Sequence, residues 1–139
     1  MRNAAMVRIG LSLMASVLIA GCASSSEHAA KPPPESVKAD HTAVFQKPLA
    51  DTQKAAVDAL VVIGCDLKAQ EPTYVEGHRP QKWGLFVGSG NETVKVWLQE
   101  VDTNTTKVTV KTVQSFVGMA GQKNWHKEVL DEMTKSLNP

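Results

Sequence analysis

The chain has 139 residues, 15 Lys and Arg against 14 Asp and Glu, and two cysteines. That length supports one domain with a modest core and excludes a large multidomain enzyme. A formal net charge of +1 gives no electrostatic footprint for nucleic acid or for anionic lipid headgroups.

The chain opens with Arg2 and Arg8, followed by an apolar run from Ile9 to Ala20. This is the charged n-region and h-region of a secretory signal, and the run falls well short of the ~20 residues that a membrane-spanning helix needs. Ala20 and Gly21 then lead directly into Cys22. Ile19-Ala20-Gly21-Cys22 resembles the bacterial lipoprotein lipobox. The resemblance implies a diacylglyceryl thioether on Cys22, cleavage before it and acylation of the new amino terminus. The alternative is an ordinary signal with an incidental cysteine. Loss of residues 1–21 removes both arginines and leaves 13 basic against 14 acidic side chains. With Cys22 lipidated, Cys65 has no intramolecular partner, so a structural disulfide is excluded and the thiol is expected in the core.

Residues 22–47 read as the lipidated cysteine and its tether. Ser24-Ser25-Ser26, Ala29-Ala30 and Lys31-Pro32-Pro33-Pro34-Glu35 are flexible in composition and extended near the prolines. About 25 such residues span on the order of 28 Å on average, which lets the domain stand clear of a bilayer. His28 and His41 read as solvated linker residues.

The globular domain is expected over 48–139. Leu49, Gln53, Ala56, Leu60 and Ile63 recur at helical spacing, with Val57 and Val61 widening the stripe. Asp51 or Thr52 is a candidate cap and Gly64 a C-terminal stop. The period then changes to two, giving strands over Cys65–Ala69, Tyr74–Arg79, Lys82–Val87, Thr93–Val101 and Thr106–Val113. The second and third form one arm if the break at Pro80 is only an interruption. Gly88-Ser89-Gly90-Asn91 and Asp102-Thr103-Asn104 are turns. One polar face per strand predicts an antiparallel meander of about four strands. After a glycine-bearing connection, Asn124 is a candidate cap, and Trp125, Val129, Leu130, Met133 and Leu137 form the stripe of a second helix. The order α-β-β-β-β-α predicts a two-layer α+β domain with the N- and C-terminal helices packed on one face.

Motifs for chemistry are scarce. Gly88 to Asn91 is followed by a strand, whereas a phosphate loop needs a helix there. The loop Gly118 to Asn124 does open a helix and carries Lys123, so it reads either as an anion site or as a sharp turn that plugs the core. His78 and His126 lack metal-ligand spacing, no paired Cys-x-x-Cys occurs, and no Gly-x-Ser-x-Gly is present. The sequence therefore nominates no catalytic, cofactor-binding or metal-binding residue, and a non-enzymatic protein is expected.

An alanine-rich helix ending in Ile63-Gly64, Thr105-Thr106 leading into Lys107-Val108-Thr109-Val110, and Gly118 before a closing helix resemble the small bacterial lipoproteins grouped as DUF3568, a domain of unknown function. The resemblance covers roughly residues 45–137, while the Gly88 to Asn91 turn and the Phe116 to Trp125 stretch depart from it. The element order is also similar to the helix-grip domains of a lipoprotein subunit in the outer-membrane β-barrel assembly machine. Neither resemblance carries over a catalytic residue.

The expected role is a lipid-anchored adaptor that faces the periplasm and binds another envelope protein, with the membrane engaged only through Cys22. By resemblance to Gram-negative sorting, Ala23 and Ser24 after Cys22 favour the outer membrane. A carrier using a groove between helices and sheet is the alternative, and a hydrolase the third. The candidate interaction surface is Trp97 with Phe86 nearby, since strict alternation puts Trp97 among threonines and lysines on the face away from the helices. Two readings remain there: a partner anchor, or an aromatic that packs across strands or lies under the tether.

Overall fold

The computed structural model describes residues 41–83, 88–115 and 122–138. In chain order the elements are β1 (Thr42–Phe45), α1 (Leu49–Val62), β2 (Asp66–Glu71), β3 (Tyr74–His78), β4 (Lys82–Trp83), β5 (Gly88–Ser89), β6 (Thr93–Asp102), β7 (Thr105–Val113) and α2 (His126–Leu137). β1, β7, β6, β3 and β2 form one antiparallel sheet in that spatial order, and β4 and β5 pair separately. Both helices pack against one another and against the sheet, so the domain is the α+β architecture that alternation and helical period predict. The sheet has five strands rather than about four, and the two changes have separate causes.

The first change is at the N-terminal boundary. Thr42–Phe45, placed by composition in the tether, is a strand that pairs with β7 from Thr42 opposite Thr109 to Phe45 opposite Thr106. Its short Thr-Ala-Val-Phe run follows a proline- and serine-rich stretch, and four residues are too few for periodicity to separate from linker. Phe45 is 7% exposed and belongs to the core, so the domain begins before residue 48. The second change is the expected strand Lys82–Val87. Of that segment Lys82–Trp83 is described: it pairs with Gly88–Ser89 in a separate two-stranded sheet, and the rest, 84–87, lies outside the described residues. The turn falls at Gly90 and Asn91, whose φ angles of +105° and 69° lie in the left-handed region. A Cβ on Gly90 would sit 2.4 Å from the Pro80 carbonyl oxygen.

The core is the helix-facing side of the sheet. Val75, Val94, Val96, Val108 and Val110 are fully buried beneath Leu60, Val129 and Met133, as period-two strands against amphipathic helices require. The buried stripe of α1 is Thr52, Ala55, Ala56, Ala59 and Leu60. Val61, expected to widen that stripe, is 54% exposed, and Val57 and Ile63 are half-buried at its edge. The alanines turn inward because a helix wedged against both a sheet and α2 needs small side chains at its closest approach.

The ends of α1 also differ in detail from expectation. Pro48 occupies the N-cap without a side-chain cap. Thr52 donates its hydroxyl to the Pro48 carbonyl at 2.9 Å, so it bonds backwards within the first turn instead of capping. At the other end Gly64, φ +81°, donates to Val61 O at 2.9 Å and Cys65 N donates to Leu60 O at 2.9 Å. These two bonds form a Schellman closure, which aims the chain directly into β2.

Candidate functional site

Cys22 and Phe86, two of the three residues that the sequence nominates, lie outside the described residues. The third, Trp97, lies on β6 opposite Tyr74 of β3 and Thr109 of β7, on the face away from the helices as alternation requires. It is only 8% exposed, and its ring centroid is 5.7 Å from that of Tyr74 at a 45° tilt. Trp97 thus offers a partner almost no area. Its surroundings are those of an aromatic packed across strands, one of the two readings that the sequence leaves open.

Beside it the same face carries a polar set. The Tyr74 hydroxyl donates to Glu76 Oε2, and Lys95 Nζ lies 3.4 Å from the same oxygen. Burial, and then the hydrogen bond to Glu76, push the Tyr74 phenol well above its usual 10. Tyr74 therefore stays protonated and acts as a fixed donor.

A second polar set, which no sequence motif announces, closes the end of the domain. Glu92 is fully buried and has its Oε2 3.4 Å from Arg79 Nη1. Its Oε1 accepts from Trp125 Nε1 at 3.3 Å and from the Lys123 backbone N–H at 3.4 Å. The Arg79 guanidinium lies 3.9 Å from the Trp125 ring centroid and Lys123 Nζ 4.1 Å from it, both within cation–π range. Arg79 Nε also donates to Ile63 O at 3.0 Å, which places a cation on the last carbonyls of α1. Trp125 N in turn donates to Thr112 Oγ1 at 2.9 Å. This set locks helices to sheet; with no exposed oxygen on Glu92 it is not placed to meet a substrate.

Of the Gly118 to Asn124 loop, residues 118–121 lie outside the described residues. The Lys123 ammonium pairs with Glu128 at 2.6 Å on the surface, and its backbone N–H serves Glu92. Cys65 is 7% exposed, and burial raises its thiol from 9.0 to about 11, the opposite of an activated nucleophile. Among the described residues no group of three or more His, Cys, Asp or Glu side chains is arranged to hold a metal ion, and no helix is long and apolar enough to cross a membrane.

Two surface features stand out among the described residues. A groove of about 360 Å³ is lined by Leu49, Ala50 and Gln53 of α1 with Gln70 and Pro72 beside it. The other is the sheet edge at β1, where Val44 is 57% exposed and stands opposite Lys107. The strand reaches this position pinned at both ends. The His41 ring stacks on His126 with centroids 3.7 Å apart. Beyond Phe45, Thr106 Oγ1 donates to Lys47 O at 3.0 Å and Thr105 Oγ1 to Gln46 Oε1 at 3.2 Å. Sequence reasoning missed this edge because the strand itself lay in presumed linker. Compared with protein-family models and with curated proteins, the chain matches none.

Proposed function

We propose that this protein is a lipid-anchored bacterial envelope protein whose periplasmic domain is a non-enzymatic binding module for another envelope protein. The anchor half of this reading rests on Arg2, Arg8, the apolar run Ile9 to Ala20 and Cys22, and outer-membrane placement on the residues that follow. One observation carries the binding half. The large core residues are sealed, yet Val44 on the outer strand β1 stays 57% exposed, as do Val61, Val62, Val101 and Val113 elsewhere at 42% or more, and an apolar side chain on an unpaired sheet edge is suited to recognition by strand pairing. The inert thiol of Cys65 and the internally satisfied Glu92 and Lys123 support a role without catalysis.

Cys22→Ala tests the anchor. A single acyl chain binds membranes only marginally, whereas several together anchor stably, so the wild type should stay in the membrane fraction through salt and carbonate washes. The variant should appear as precursor or as soluble protein. A membrane-bound Cys22→Ala protein with a mature N-terminus elsewhere, read by mass spectrometry, contradicts the lipobox. Crosslinking in the intact envelope tests the binding half.

The groove at Leu49, Ala50, Gln53, Gln70 and Pro72 favours a second reading, carriage of a small apolar ligand. Its volume is at the lower end of the several hundred Å³ typical of ligand pockets. Solvent extraction of the protein purified from its own envelope should release a stoichiometric lipid under this reading and none under the first.

A further inference from the structure

The two outer strands of the sheet are protected to very different degrees. β2 carries Asp66, Lys68 and Glu71 in six residues, and its pairing with β3 shifts register between Leu67 and Ala69. Charge and a bulge on an edge are devices that discourage a further strand from joining. β1 is Thr-Ala-Val-Phe, with no charge, no proline and no register shift against β7. It nevertheless holds its shape, since the His41–His126 stack, the Thr106 bond to Lys47 O and the buried Phe45 ring fix both ends. An edge already ordered costs an incoming strand little entropy beyond its own.

Among the described residues the charges around this edge are one-sided. Lys107 stands opposite Val44 in register, Lys47 follows the strand, and Lys111 lies two positions beyond Thr109 on β7. None of the three forms an ion pair among the described residues. Among the described residues, Glu100 and Asp102 belong to β6 and face Thr106 and Thr105, one strand further from the edge. Lys95, also on this face, is engaged by Glu76.

We propose that the outer edge of β1 takes up an extended segment of a partner protein carrying alternating apolar and acidic residues, added as a sixth strand. The proposal rests on the binding-module reading above. Main-chain hydrogen bonds to β1 would supply affinity, an apolar side chain would cover Val44, and carboxylates would meet Lys107, Lys47 and Lys111. Pairing with a second copy is disfavoured by the same lysines, which a two-fold contact at Val44 would bring toward one another.

The test is a random decapeptide display library selected on the mature lipidated protein in detergent micelles, against two variants. Val44→Lys removes the apolar contact and puts a lysine, which discourages strand pairing, at an exposed edge position, and Lys107→Glu reverses the neighbouring charge. Alternating apolar and acidic peptides should be enriched. They should bind Val44→Lys at least about tenfold more weakly, the equivalent of 1.4 kcal/mol. Lys107→Glu should shift the selection toward basic peptides, a change that mere loss of folding cannot produce, and circular dichroism should be unchanged in both. Binders indifferent to both variants would overturn the β1 site while leaving a binding module. Sedimentation showing dimers that Val44→Lys dissolves would assign the edge to a second copy, and no enrichment above background would overturn the site as well. Crosslinking in the envelope judges the binding-module reading independently of all three.

Discussion

The two edges of this sheet are built on different plans. β2 is wired into the core. It leaves α1 through the Gly64 closure, its neighbour Cys65 packs against Gly77 of β3, and Arg79 at the end of β3 reaches back to the Ile63 carbonyl and across to Glu92. β1 is laid on, held by one buried ring, a histidine stack and threonine hydroxyls that bond past its ends. An edge wired into the core cannot change without cost to the fold, so it is blunted. An edge laid on can carry a surface task. Substitutions near β2 should therefore read out as stability and substitutions on β1 as binding.

Arg79→Met should give the largest effect. It strips the fully buried Glu92 of its cation and leaves Trp125 and Lys123 as its donors among the described residues, and an orphaned buried charge costs about 3–5 kcal/mol. Urea unfolding measures it. Much of the loss should return in the double variant Arg79→Met, Glu92→Gln, because the pair couples. Full additivity would show that the two side chains act separately.

Gly77→Ala should cost less, about 1–3 kcal/mol for overpacking. A Cβ there would lie 2.7 Å from Cys65 Cβ and 3.4 Å from Leu60 Cδ1. Cys65→Ala should not rescue it, since the conflict is with the Cβ rather than the sulfur. Rescue would mean that the sulfur, not the backbone approach, sets the distance.

The smallest effect appears only at alkaline pH. Burial raises the Cys65 thiol from 9.0 to about 11 in the folded chain, so between those values the unfolded chain loses its proton first. The native state then holds more protons, and stability falls as pH rises through that window. Below pH 9 the term is absent. Comparing wild type with Cys65→Ala from pH 8 to 11, the variant should show the shallower decline. Equal slopes would place the thiol in water.

Much of the fold is legible in the sequence because one physical rule governs each legible part. Val94, Val96, Val108 and Val110 alternate against polar partners, and Val129, Met133 and Leu137 repeat at helical spacing, so both patterns name the face they bury. α1 is harder to read. Alanine gives a weak signal, and Val61 outranks Ala59 on any hydrophobic scale although the tight fit selects Ala59 for the interior. β1 is shorter than its own period can reveal. The Glu92 set joins residues from four separated stretches, at Arg79, Glu92, Thr112 and Trp125, and nothing local links them. Trp97 shows the limit of parity: alternation gives the correct face, but Tyr74 and its surroundings determine how little of the ring stays exposed.

The most direct test of the contrast between edges is amide hydrogen exchange on the lipidated protein with and without a selected acidic peptide. Exchange reports local opening and pairing strand by strand. Thr42–Phe45 should slow in the presence of the peptide while Asp66–Glu71 stays unchanged, and Val44→Lys should abolish the slowing with global stability held to within about 0.5 kcal/mol, as for an ordinary surface substitution. Protection that appears at Asp66–Glu71 instead, or at neither edge, would contradict the account.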